Sequence, residues 1–147
     1  MSLKDQLNED LKSAMKGGEK LRTETLRSLK SAIKYAEIQA GKELDDGGVL
    51  TVISQQAKQR RDSMVEFEKG RRADLVEKEA AELAVLEQYL PAQLSEAEIE
   101  VKAKAVIATL GVTDAKGMGQ VMKELMAELK GQADGKVINQ VVRRLLS

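Results

Sequence analysis

Six basic residues near the end of the chain have the type and position to perform one chemical task, the binding of phosphate. Lysine and arginine form charge-assisted hydrogen bonds with phosphate oxygens, so several of them outside a core can hold a polyanion. The six stand mostly outside the apolar positions of residues 110–147, and we predict that they contact nucleic acid: Lys116, Lys123, Lys130, Lys136, Arg143 and Arg144.

Residues 110–147 are predicted to form two helices between glycine-centred turns. Apolar residues recur at three- and four-residue steps over 118–129 and 137–145, which is typical of helices with one buried side. Gly131 is expected to end the first helix, and the Asp134 carboxylate to cap the second. The backbone amides of 131–136 could instead bind an anion, for which Asp134 would compete. The residues leave both interpretations open.

The composition predicts an all-α fold with no cofactor and no metal. Among 147 residues there are one proline, one phenylalanine, two tyrosines and no tryptophan, so aliphatic side chains must supply the core. Abundant alanine, leucine, glutamate and lysine favour helices. Because cysteine and histidine are both absent, the chain lacks thiolate ligands and the commonest general base. We therefore predict no catalytic residues.

Two domains are predicted, an N-terminal four-helix region over 1–92 and a three-helix domain over 93–147. Helices are expected over about 2–16, 19–40 and 49–69, and from after Gly70 to near Tyr89, with 41–48 as a loop. Pro91 disfavours helix in the residue before it. Ser95 and Glu98 form a capping box that should start the fifth helix, which is expected to end at Gly111.

The uneven distribution of charge favours ion pairs between segments of the chain. Residues 1–42 carry nine basic and six acidic residues, whereas 71–100 carry three and eight. If the third and fourth helices pack antiparallel about the turn at residue 70, residues equidistant from that turn become neighbours. We therefore predict structural ion pairs of Arg60 and Arg61 with Glu79 and Glu82, with RNA contact by the two arginines as the alternative.

A second group of cations lies on the predicted second helix. Arg27, Lys30 and Lys34 recur at three- and four-residue steps and should share one face. The simpler interpretation is a solvated helix surface, and the alternative is a ridge that faces phosphate.

The order of motifs along the chain resembles the GatB/YqeY family. GMGQVM at 117–122, LKGQADGK at 129–136 and the closing valine-rich helix are similar to the C-terminal domain of GatB, a subunit of the tRNA-dependent amidotransferase. Four further motifs are similar to YqeY proteins, stand-alone relatives of that domain: SLKDQLNEDLKSAMK at 2–16, LRSLKSAIKYAEI at 26–38, QRRDS at 59–63 and YLPAQLSEAE at 89–98. The resemblance covers essentially the whole chain.

This resemblance implies a function as well as a fold. Because the helical tail of GatB helps to hold tRNA, it implies a non-catalytic module that contacts tRNA or associates with amidotransferase or aminoacylation machinery. A protein-interaction helper without a nucleic-acid role is the alternative. Glutamine-dependent carbon–nitrogen ligase activity is a less favoured one, because the chain has no P-loop, no cysteine and no strand-borne carboxylate cluster.

The start of the chain and its hydropathy lead to an expectation about location. The sequence SLKD at residues 2–5 is a capping pattern and not a charged-then-apolar export signal, and no apolar run approaches membrane length. We predict a cytoplasmic protein without a membrane partner.

Overall fold

The structure, a computed structural model, describes residues 1–147 and contains seven α-helices and no strand. This confirms the predicted all-α class. The helices are α1 (Leu3–Lys16), α2 (Lys20–Ala40), α3 (Asp46–Lys69), α4 (Ala73–Glu87), α5 (Glu96–Leu110), α6 (Met118–Glu128) and α7 (Gly135–Leu146), and one 3-10 turn (Ala115–Gly117) precedes α6.

Residues 1–90 form one compact unit built from α1 to α4. The antiparallel pair of α3 and α4 packs most closely, about the short turn at Gly70. Aliphatic side chains from all four helices meet in one core, where Leu7, Leu26, Ile53 and Leu86 are almost completely buried. The core is aliphatic because the sequence offers few aromatic residues, and Tyr89 is the one buried aromatic side chain.

Residues 91–147 form a second compact unit in which α5, α6 and α7 pack against one another. The apolar positions of the three helices converge on a separate core that includes Ile99, Val121, Leu125 and Val141. Ser95 starts α5 through the predicted capping box, since its hydroxyl accepts from the Glu98 amide at 3.2 Å while Glu98 accepts from the Ser95 amide.

Several helix boundaries differ from those predicted. Helix α6 ends at Glu128 with Leu129 as its C-cap and not at Gly131, which takes a positive φ of 77° in the turn that follows. Helix α3 begins at Asp46 and not at Val49, because the Asp45 carboxylate accepts from the amide of Gly48 at 2.8 Å and caps the helix earlier. The 3-10 turn before α6 was not predicted, and there the Asp114 side chain accepts from the Lys116 amide.

The two units meet in sequence between Leu90 and Pro91, close to the predicted boundary between residues 92 and 93. Each unit has its own apolar core. That the units are independent domains stays a prediction.

Two glycines at the start of α6 differ sharply in the space around them. A Cβ added at Gly117 would lie 2.3 Å from Val112 Cγ1 and 2.7 Å from its Cγ2. A Cβ added at Gly119 would meet nothing within 4 Å. Gly117 is therefore needed for the close approach of the 3-10 turn to Val112, whereas Gly119 is not needed for packing.

We expect opposite effects from alanine at these two glycines. Gly117→Ala should destabilise the fold by about 1–3 kcal/mol, because the added methyl overpacks against Val112. Gly119→Ala should be neutral or stabilise by up to about 1 kcal/mol, because alanine is the better helix former. Urea unfolding followed by circular dichroism measures both changes, and equal effects at the two positions would contradict this packing.

Candidate nucleic-acid interface

Three of the predicted cations form a row along α6. Lys116 lies in the 3-10 turn before the helix, Lys123 in its middle and Lys130 just beyond its end. Lys123 is thus the member inside the helix, and the other two flank its ends. All three side chains are exposed, and none forms an ion pair with a carboxylate of the chain. We call Lys116, Lys123 and Lys130 the α6 row.

Three predicted cations lie on α7, and Arg143 and Lys136 are two of them. Arg143 is exposed in the last turn and forms no ion pair. Lys136 is exposed at the start of the same helix but already interacts with another group of the protein. Arg143 therefore remains available to a ligand in the same way as the α6 row, whereas Lys136 is partly engaged.

Arg144 is not the free cation that was expected. Its Nη1 donates to Glu96 Oε1 and its Nη2 donates to Glu100 Oε2, both at 3.2 Å. The two carboxylates stand one turn apart on α5, so one planar guanidinium can bridge them and tie α7 to α5. Arg144 is therefore paired within the chain by the first two turns of α5, and its contact with nucleic acid stays a prediction.

The start of α7 is a capped helix end. The Asp134 carboxylate accepts from the Lys136 amide at 2.9 Å and occupies the position that an anion would need. Of the two interpretations that the sequence left open for residues 131–136, this geometry favours the capped helix–turn–helix.

The two arginines of α3 face carboxylates of α4, at different turns. Arg60 Nε lies 3.7 Å from Glu82 Oε2 and 4.0 Å from Glu79 Oε2. Arg61 instead lies beside Glu87, with Nη2 3.4 Å from Oε1. The structure thus brings Arg60 to both predicted partners and places Arg61 one to two turns further along α4. Both guanidinium groups are engaged within the chain.

Two carboxylates, those of Glu79 and Glu82, share the single positive charge of Arg60. Burial, and then the neighbouring Glu82 carboxylate, raise the pKa of Glu79 above its ordinary value, although Arg60 acts in the opposite direction. Arg60 Nη1 donates to Gln56 Oε1 at 2.9 Å, while its buried Nε has no hydrogen-bond partner. This arrangement is a structural contact between helices.

No cluster of three or more acidic, histidine or cysteine side chains could hold a metal ion. No helix is long and apolar enough to cross a membrane. Residues 91–147 carry four exposed cations that form no ion pair, namely Lys116, Lys123, Lys130 and Arg143.

Comparison with known proteins supplies the family. The YqeY-like protein family matches residues 4–146, almost the whole chain. The chain belongs to the YqeY-like family. The resemblance seen in the sequence motifs is thereby confirmed for YqeY, while its implications about GatB and tRNA remain predictions.

This YqeY-like chain is similar to fungal proteins named "Altered inheritance of mitochondria protein 41, mitochondrial". The protein of Lachancea thermotolerans is 44% identical over 108 residues, which cover 71% of this chain and 57% of the relative. That of Kluyveromyces lactis is 43% identical over 68% of this chain and 55% of the relative. The Pyrenophora tritici-repentis protein is 32% identical over 95% of this chain and 78% of the relative. The match therefore spans little more than half of the first two relatives.

These names correct the predicted location. The sequence led us to expect a cytoplasmic protein, but the relatives are named mitochondrial proteins, which points away from the cytoplasm. The expectation was wrong because a capping pattern at residues 2–5 reports on the first helix and carries no information about the compartment.

The raised pKa of Glu79 has a testable consequence for stability. The folded state holds the Glu79 proton more tightly than the unfolded state, so this group's contribution to stability is complete below about pH 4 and falls as pH rises through the raised pKa. Glu79→Gln, which resembles the protonated acid, should therefore raise the melting temperature at about pH 7 and have little effect at about pH 4.

Thermal unfolding followed by circular dichroism at the two pH values tests this expectation. Glu77→Gln is the matched control, since Glu77 lies on the same helix, is exposed and forms no ion pair. A Glu79→Gln variant that is less stable than the wild type at neutral pH would show that the pair with Arg60 outweighs burial.

Proposed function

We propose that this YqeY-like protein is a non-catalytic module that contacts RNA through its phosphate backbone, with tRNA as the first candidate. The observation that carries the proposal is the α6 row, whose three ammonium groups have no carboxylate partner within the chain. When exposed cations without internal partners neutralise the phosphates of an RNA, the counterions condensed on that RNA are released. This release favours binding. Arg143 adds a fourth such group in the same unit.

The chemistry of residues 91–147 supports recognition of backbone and shape over recognition of bases. No phenylalanine, tyrosine or tryptophan stands in this part of the chain, so it offers no aromatic platform for an unpaired base. Lysines contact phosphates as point charges and carry little sequence information. A folded RNA with closely spaced phosphates, such as tRNA, fits this surface.

We take the proposed cellular compartment from the names of the fungal relatives. Because they are named mitochondrial proteins, we place this chain's RNA contact in a mitochondrial setting or its equivalent. Association with amidotransferase or aminoacylation machinery is the corresponding proposal for protein partners.

We also infer that residues 1–90 and 91–147 are separate domains, since each has its own core, and limited proteolysis should cleave between them.

A protein-interaction helper is the second candidate, favoured by apolar side chains exposed in residues 91–147. Val101 on α5 is 68% exposed and Met126 on α6 is 46% exposed. Such side chains can dock on an apolar partner surface. This candidate is distinguished from RNA contact by its insensitivity to the charge of the α6 row.

Removal of two charges from the α6 row tests the RNA proposal. Lys123→Gln/Lys130→Gln should weaken tRNA binding and reduce the dependence of log affinity on log salt by about two, one for each phosphate that the variant no longer neutralises. Filter binding across about 50–200 mM salt measures both quantities.

The matched control removes the same charge from paired lysines. Lys102 lies 4.0 Å from Glu128, and Lys104 lies 3.4 Å from Glu100. Lys102→Gln/Lys104→Gln should change the slope much less than the α6 variant. Equal slopes in the two double variants, or no tRNA binding by the wild type at low salt, would contradict the proposal.

A further inference from the structure

The N-terminal unit carries a second row of unpaired cations, on α2. Arg27, Lys30 and Lys34 are exposed and form no ion pair. Their spacing of three and four residues places them as neighbours along one side of the helix, over about 10 Å at a rise of 1.5 Å per residue. Arg27 Nη2 also lies 3.8 Å from the Met15 sulfur, which connects this row to α1. We call Arg27, Lys30 and Lys34 the α2 row.

The acids near the α2 row form no ion pair with it, although Glu37 is close enough to Lys34 for the lysine charge to lower the pKa of Glu37. Glu37 forms an ion pair with Lys4 of α1 and also accepts from the Leu44 amide at 2.8 Å. Glu24 is the remaining acid of α2, and it makes no ion pair. Glu37 therefore offsets part of the charge of Lys34, whereas Arg27 and Lys30 have no carboxylate partner.

A groove between α1 and α2 opens beside two of these lysines. Its volume is about 210 Å³, and it is lined by Lys4, Leu7, Asn8, Lys30, Ile33, Lys34 and Glu37. With the pair of Lys4 and Glu37 balanced, the ammonium groups of Lys30 and Lys34 give the groove a net positive charge. A phosphate group has the complementary charge.

Tyr35 follows Lys34 in the chain and lies about 100° around α2 from it, on the side of the helix adjoining the row. Its side chain is 65% exposed and its hydroxyl makes no hydrogen bond, whereas the structural Tyr89 is buried and donates to Asp10 Oδ2 at 2.5 Å. Ile38, 66% exposed, lies three residues from Tyr35 and four from Lys34, so its position on α2 is between the two.

From this juxtaposition we infer that α2 binds an unpaired stretch of RNA. The α2 row contacts consecutive phosphates, and the Tyr35 ring stacks on one base, a combination typical of single-strand binding. The inference rests on the proposed RNA-binding function, but it concerns the other unit and a different form of RNA. The α6 row lacks an aromatic side chain, and α2 supplies one.

Removal of the α2 charges is the first test. An oligouridylate of about twelve nucleotides with a fluorescent end label suits this measurement, since it has no stable secondary structure. Arg27→Gln/Lys30→Gln/Lys34→Gln should weaken its binding about tenfold or more and lower the salt slope by about two. Circular dichroism checks that each variant is folded.

The chain offers a matched control in the same unit. Lys58, Lys69 and Arg72 lie within 3.1–3.5 Å of Asp62, Glu66 and Asp74, respectively. The triple glutamine variant at these three positions removes the same charge from cations that already have partners. It should bind oligouridylate within about threefold of the wild type.

Substitutions of Tyr35 test the stacking contact. Tyr35→Ala should weaken oligouridylate binding about fivefold or more, while Tyr35→Phe, which keeps the ring, should bind within about twofold. In Tyr35→Trp the chain gains its first tryptophan, so its fluorescence reports on this site alone. Oligouridylate should quench that fluorescence, and a fully paired RNA of the same length should quench it less.

The outcomes separate this inference from the proposed function. If the α2 and Tyr35→Ala variants bind like the wild type while Lys123→Gln/Lys130→Gln weakens tRNA binding, the inference is overturned and the proposed function stands. The reverse pattern supports the inference and overturns the assignment of RNA contact to the α6 row. A shift of the Tyr35→Trp emission to shorter wavelength with vesicles of phosphatidylcholine and cardiolipin, without any response to oligouridylate, overturns the inference in favour of a membrane surface.

Discussion

The distance from each cation to the nearest carboxylate determines which cations of this protein are neutralised and which remain available to a ligand. The first turns of α5 place Glu96 and Glu100 beside Arg144, and α4 places Glu82 beside Arg60. Basic and acidic residues are equal in number, yet the α6 and α2 rows form no ion pair with a carboxylate. A chain without net charge can therefore still present local cationic surfaces, because pairing depends on distance and not on totals.

Much of the fold follows from local signals in the sequence. The capping boxes at Ser2 and Ser95, the glycine ends of α2 and α5 and the apolar periodicity are short-range features, and the structure confirms them. The start of α3 was misjudged because two glycines at 47 and 48 suggested a loop, whereas the Asp45 cap holds them in the first helical turn. The contact of Val112 with Gly117 depends on a 3-10 turn that periodicity does not reveal.

The candidate site was less predictable, because pairing is a tertiary property. The sequence indicated which residues of 116–144 lie outside the core, and the exposed α6 row agrees with that pattern. It gave no sign that Arg144 would reach two glutamates 44 and 48 residues away. The register of α3 against α4 likewise decided that Arg61 lies beside Glu87. The sequence signals carried no information about the cellular compartment, and the mitochondrial names of the relatives corrected that prediction.

The most direct test of the central claim is a lysine footprint of the whole protein with and without tRNA. Acetylation of each lysine by a mild reagent, quantified by mass spectrometry, reports which ammonium groups a bound polyanion covers. We expect Lys116, Lys123 and Lys130 to be protected when tRNA is present, and the paired Lys102 and Lys104 to react equally in both samples. Unchanged reactivity of the α6 row under conditions where tRNA is bound would contradict the account.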